Sequence, residues 1–144
     1  MTVKLDTSKS LASMDALVKK KNAAVNRALI ASAMEVSSYI KASITKHKSK
    51  GRLYMIGVNR DKEHYASRPG YTPNGMYGNL AYSTSPTRTV KNGAVYVKVM
   101  AKYAKALEYG RPSKGLRPRP FVKPARQKLG AKIAKRIRDA FNVK

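Results

Sequence analysis

The chain has 144 residues, enough for one domain with a modest core, and 42% of them are hydrophobic, too many for a disordered polycation. Its 31 Lys and Arg against 7 Asp and Glu give a formal charge of +24, far more than solubility needs, which points to a polyanionic partner: nucleic acid first, then an acidic protein or a membrane surface. The absence of Cys excludes a disulfide scaffold and a thiolate metal site, and no run of ~20 apolar residues could span a bilayer.

Residues 1–9 read as a polar lead-in without a signal-peptide core. From Ser10 to Lys48 the pattern is helical. Met14, Val18, Val25, Leu29, Val36, Ile40 and Ile44 recur at spacings of four and seven. Ser10 or Ser13 is the expected cap and Gly51 the expected stop, with Lys19-Lys20-Lys21-Asn22 as a candidate break. Ala24, Ser32, Ser37 and Ser38 make the opposite face small, which invites a second helix or a neighbouring subunit to approach closely.

The basic run Lys46 to Arg52 follows this helix, where cations complement its dipole. Leu53–Val58 predicts a short strand. Asn59 to Tyr77, with Arg68-Pro69-Gly70 and Thr72-Pro73-Asn74-Gly75 as turn signals, predicts a loop, mobile or ordered by partners. Thr87–Val90 and Ala94–Val99 flank Lys91-Asn92-Gly93 and predict a β-hairpin, since Asn-Gly supplies positive φ at low cost. Val95, Val97 and Val99 then share one side, Tyr96 and Lys98 the other, and Pro86 marks an edge or a bend. Tyr103–Tyr109 predicts a short helix ended by Gly110. Phe121–Phe141 predicts a longer one with Pro124 in its first turn and a buried stripe of Val122, Ala125, Leu129, Ile133, Ile137 and Phe141. The order predicts a single α+β domain over 1–144, a long N-terminal helix and a C-terminal helix packed on a small antiparallel sheet with a central hairpin.

Little in the sequence suggests catalysis or a cofactor. His47 and His64 lack spaced ligand partners, and Asp61 with Glu63 reads as a solvated loop pair. Glu108 stands apart as the only acid between His64 and Arg138. It has two readings: an intrachain ion pair with Arg111, Arg117 or Arg119, or a pair across a subunit boundary. The nine Tyr, several set among Arg, Lys and Gly, suit a protein interface better than a base-stacking platform. The cations of the last helix circle too much of it for one groove-docking face, so they suggest sequence-independent backbone contact at most.

Three pieces in order carry a resemblance: Gly78-Asn79-Leu80-Ala81-Tyr82-Ser83; the valine strand ending at Met100; and Tyr103-Ala104, Leu107-Glu108-Tyr109-Gly110 and Pro120-Phe121 with Pro124-Ala125. Over roughly its second half the chain resembles the minor tail-component family of tailed bacteriophages, typed by gene product ten of a lambdoid phage. Arg111 stands where that family usually has Thr, and Tyr77-Gly78 where it has Thr-Gly. The resemblance implies a non-enzymatic virion protein of the neck or tail end, a tail-completion or head–tail joining factor assembled in the host cytoplasm. It implies a ring of identical subunits, a hexamer or dodecamer, between a head connector, adaptor or stopper protein and a tail tube or tail terminator protein. Genome DNA would pass through the lumen, with no membrane partner. Tyr103, Glu108, Tyr109, Gly110, Arg111, Pro120, Phe121 and Pro124 are then expected to position a contact loop at a subunit or partner interface. Lys46, Lys48, Lys50, Arg52, Arg117 and Arg119 are the expected polyanion contacts.

Overall fold

The computed structural model describes residues 8–46, 49–75 and 78–142. In chain order they form α1 (Ser8–Thr45), β1 (Leu53–Ile56), β2 (Lys62–Tyr65), α2 (Asn79–Tyr82), β3 (Thr84–Pro86), β4 (Val97–Val99), α3 (Ala104–Tyr109), a 3-10 turn at Pro112–Lys114 and α4 (Val122–Phe141). The fold is mixed α+β: the two long helices pack with two small antiparallel ribbons, β1–β2 and β3–β4.

α1 is one unbroken helix of 38 residues, about 57 Å long. The expected break at Lys19–Asn22 does not occur, because straight-chain Lys is a good helix former. Ser10 and Ser13 lie inside the helix rather than at its start, and the helix stops at Thr45, six residues before Gly51. Gly51 instead allows a close backbone approach. Its N–H donates to the Ala66 carbonyl, and a Cβ there would sit 2.6 Å from that oxygen.

α4 lies antiparallel to α1. Tyr39 faces Lys128, Glu35 faces Lys132, Ser32 faces Arg136, and Lys21 sits over the Phe141 ring. Of the small residues predicted to face a neighbour, Ser32 is buried and meets α4 through Arg136, Ser37 is buried, Ala24 is half-buried and Ser38 is exposed, so they do not form one face. The main cluster lies toward the other end of both helices: Ile40 and Ile44 of α1, Leu80 and Ala81 of α2, Ala104 of α3, Phe121, and Ala125 of α4. Val97, Val99 and Leu107 pack against it. The predicted stripes are thus buried only in part. Met14 and Val18 are exposed, as are Val122 and Phe141 at the two ends of α4.

The hairpin forms with its turn where Asn-Gly placed it: φ is 49° at Asn92 and 70° at Gly93, and Lys91 bridges Ala94. Its first strand sits earlier than the predicted 87–90. Thr84, Ser85 and Pro86 pair with Val99, Lys98 and Val97. Beyond them Thr87 stays in register with Tyr96, its side-chain oxygen accepting the Tyr96 N–H at 2.9 Å. Arg88, Thr89 and Val90 then oppose Val95 alone, so the strand bulges between two fixed points. The predicted alternation holds: Val95, Val97 and Val99 are half-buried, Tyr96 and Lys98 exposed.

The segment expected to be a loop from Asn59 to Tyr77 contains β2, paired with β1 in the register Leu53 with Tyr65 through Ile56 with Lys62. Lys62-Glu63-His64-Tyr65 has no apolar alternation to announce a strand, so pairing with β1 creates it. After β2 the chain is tied back within the protein. The Asn74 amide donates to the carbonyls of Ser49 and Tyr65, both at 2.8 Å, and Gly75 N–H donates to the Ile44 carbonyl.

Candidate functional site

The corner between α3 and α4 gathers the residues Tyr103 to Pro124 singled out in the sequence. α3 is a six-residue helix with two unlike faces. Ala104 is buried and Leu107 packs on the core, while Lys105 and Tyr109 face outward and are exposed, as is Lys102 just before the helix. Tyr103 is its N-cap residue. Gly110 ends it with φ 78° and ψ 177°, a conformation suited to glycine. A Cβ at Gly110 would also meet the Leu116 carbonyl oxygen at 2.8 Å and Pro118 at 3.0 Å.

Glu108 points from α3 to the start of α4. Its Oε2 accepts the N–H groups of Phe121 (2.8 Å) and Val122 (3.0 Å), and its Oε1 accepts that of Lys123 (2.9 Å). The first N–H groups of a helix have no partner within the helix and carry its positive dipole end. Phe121, the N-cap residue of α4, makes no side-chain cap hydrogen bond, so the glutamate from the preceding helix supplies the cap. This corrects the intrachain ion-pair reading. Among the described residues the salt bridges belong to Glu35, and neither Arg111, Arg117 nor Arg119 pairs with Glu108.

The loop between these anchors is a folded excursion. Arg111 N–H donates to the Leu116 carbonyl and Leu116 N–H to the Arg111 carbonyl, closing a six-residue lobe over the 3-10 turn. Arg111, Lys114 and Arg117 project from it, exposed. Arg119 is half-buried: its Nε donates to the Ser67 carbonyl at 2.9 Å while its N–H donates to Leu107. It is therefore a tether as much as a surface cation. Phe121 is 1% exposed and belongs to the core, so it positions the loop from beneath and has no surface to offer a partner. Pro120 and Pro124 are half-buried.

Residues 66–70 link the two parts of the expected basic set. On one side Arg68 Nε donates to the Lys50 carbonyl. On the other, Gly70 N–H donates to the Pro118 carbonyl beside the Arg119 tether. Lys50 lies over the Tyr65 ring and Arg52 over Tyr54, each within 5.4 Å of the centroid. Lys46 lies just past the end of α1, and Lys48 lies outside the described residues. The sequence reading missed Lys102 and Lys105. With Ala106, Tyr109, Gly110 and Arg111 they line an open hollow of about 340 Å³. The signal was present in the four-residue spacing of Lys105 and Tyr109, which puts both on one side of α3, with Lys102 just before the helix. A second hollow of about 510 Å³ lies across Tyr109, between Glu108, Pro118, Pro120, Val122, Lys123 and Arg126.

The other electrostatic feature clamps α1 to α4. Glu35 accepts Lys132 Nζ on one oxygen (2.7 Å) and Arg136 on the other, and Arg136 also donates to Ser32 Oγ. These two hydrogen-bonded cations, one helical turn apart on α4, hold the Glu35 carboxyl below the usual carboxylate range. Among the described residues no three of His, Cys, Asp and Glu are grouped to hold a metal ion, and no helix is long and apolar enough to cross a membrane. No known family model, curated protein or solved structure matches the chain.

Proposed function

We propose that this chain is a virion structural protein of the phage neck or tail end, forming a multimeric ring that joins the head connector to the tail around the DNA path. The observation that carries this reading is surface. The chain exposes 11145 Å², whereas a compact monomer of its 15.9 kDa would expose about 7,400 Å². The excess is partly apolar. Along α1, Met14, Leu17 and Val18 are 62, 45 and 55% exposed, continuing past the end of α4 the stripe that α4 covers further along. A helix with an uncovered apolar stripe is a subunit contact in search of a neighbour. Ring closure joins two different patches, so a long projecting helix and a separate anchored lobe suit it. The charge of +24 suits a ring around DNA. The reading assigns this chain no catalysis and no cofactor.

Imaging of intact particles tests the proposal. The protein is expected on the particle axis, between portal and tail; a position off the axis overturns the reading. A second reading, a small basic protein that binds DNA alone without sequence preference, rests on the charge by itself. It expects DNA affinity falling steeply as salt rises and a chain that stays monomeric both at every salt concentration and in the presence of a head connector.

A further inference from the structure

We infer that the outer side of α3 with the residues at its two ends is a phosphodiester-binding site, with Lys102, Lys105 and Arg111 as the cations that hold the backbone of DNA. Three observations converge there. All three side chains are exposed and line one hollow of about 340 Å³. None of the three forms an ion pair or side-chain hydrogen bond among the described residues. By contrast Arg119 is tethered to Ser67, Arg136 and Lys132 are taken by Glu35, and Lys50 and Arg52 lie over tyrosine rings. The acid nearest in sequence, Glu108, is turned away and spent on the α4 N-terminus, so no carboxylate lines the hollow. Capping of α4 and opening of the anion site are thus two results of one side-chain orientation.

Tyr109 forms a wall of the same hollow and is 73% exposed. An exposed ring among cations is the pattern on which an unpaired base stacks; a duplex uses the cations alone. The phosphodiester is common to both forms, and the test separates them. The choice of DNA as the polyanion rests on the proposed place of the protein beside the genome. Ring formation is read separately, by sedimentation, so failure of one idea leaves the other standing.

The test is fluorescence anisotropy of the full chain with a labelled 24-base-pair duplex and with a 24-nucleotide single strand, across a salt series. The triple variant K102A/K105A/R111A is compared with R88A/K91A/K98A, which removes the same charge from the exposed hairpin. The α3 variant is expected to lower affinity on the order of tenfold and the duplex salt slope by about 2–3, near 0.9 per phosphate contact. The hairpin variant is expected to change the slope much less. Equal effects of the two variants overturn the proposal, since net charge alone would then explain binding. An unchanged slope in the α3 variant also overturns it. Tyr109→Ala then identifies the form bound. A roughly tenfold loss on the single strand alone marks a stacked base; no differential loss marks the duplex.

Discussion

Glu108 shows how far a residue's role can depend on where the chain brings it. In the sequence it is a lone acid in a basic field, and charge pairing is the natural inference. In the structure its partners are three backbone N–H groups 13 to 15 residues away. No sequence pattern announces that contact, because capping motifs are local and this cap comes from the preceding helix. Replacing Glu108 with Ala removes all three acceptors and the negative charge at the dipole. The expected cost is about 2 kcal/mol, or roughly 5 °C in Tm for a chain of this size. Glu108→Gln, which keeps an acceptor oxygen, is expected to lose less, and thermal unfolding followed by circular dichroism reads both. An unchanged Tm in Glu108→Ala would mean the cap contributes nothing. Ser37 makes the opposite case. It is 2% exposed, and its hydroxyl has no hydrogen-bond partner among the described residues. Its small size fits the packed face of α1, and its polarity does not. Ser37→Ala is therefore expected to raise stability by about 1 kcal/mol, measured by denaturant titration. A loss of stability would show that the hydroxyl has a hidden partner.

At the scale of elements, what was legible in the sequence was what local chemistry decides. Asn92-Gly93 placed the hairpin turn, Gly110 ended α3, and Pro124 in the first turn of α4 marked its start. Of the small residues predicted to face a neighbour of α1, Ser32 does meet α4, while Ser38 is exposed. What was not legible depended on pairing across distance. β2 exists because β1 offers it an edge, and the first hairpin strand shifted to Thr84–Pro86 because three residues bulge opposite Val95. The α1–α4 clamp belongs to the same class, since nothing in the sequence joins Glu35 to Lys132 and Arg136. That clamp has a pH signature. The Glu35 carboxyl is depressed in the folded state, so the folded chain binds fewer protons there than the unfolded one. Its contribution is present above the ordinary value of 4.5 and is lost as pH falls through the lower folded value. With 24% of the Glu35 side chain exposed, the effect is screened and modest. Wild type is expected to be more stable than Glu35→Gln at pH 7, with the gap closing as pH falls below 4.5 and through the lower folded value, and also shrinking in high salt. A gap independent of pH would assign the difference to packing.

The whole molecule combines an unusually large surface with a charge that resists bringing copies together. These two facts set a condition for assembly. Apolar contacts along the projecting part of α1 favour association, while subunits of +24 repel one another. Repulsion between exposed charges is screened within about 10 Å at 0.1 M salt and about 3 Å at 1 M, whereas burial of Met14, Leu17 and Val18 is not weakened by screening. The purified chain is therefore expected to be monomeric at low salt and to form a discrete oligomer as salt rises, observed by analytical ultracentrifugation. DNA or an acidic connector surface would supply in the particle the neutralisation that salt supplies in solution. Met14→Asp with Val18→Asp isolates the apolar part. Both side chains are more than half exposed, so the monomer fold should survive, as circular dichroism would show. The oligomer should be lost at every salt concentration. If the double variant assembles like the wild type, the projecting stripe of α1 is not the subunit contact. If wild type stays monomeric up to 1 M salt, charge was not what held the subunits apart, and assembly would need the connector itself as template.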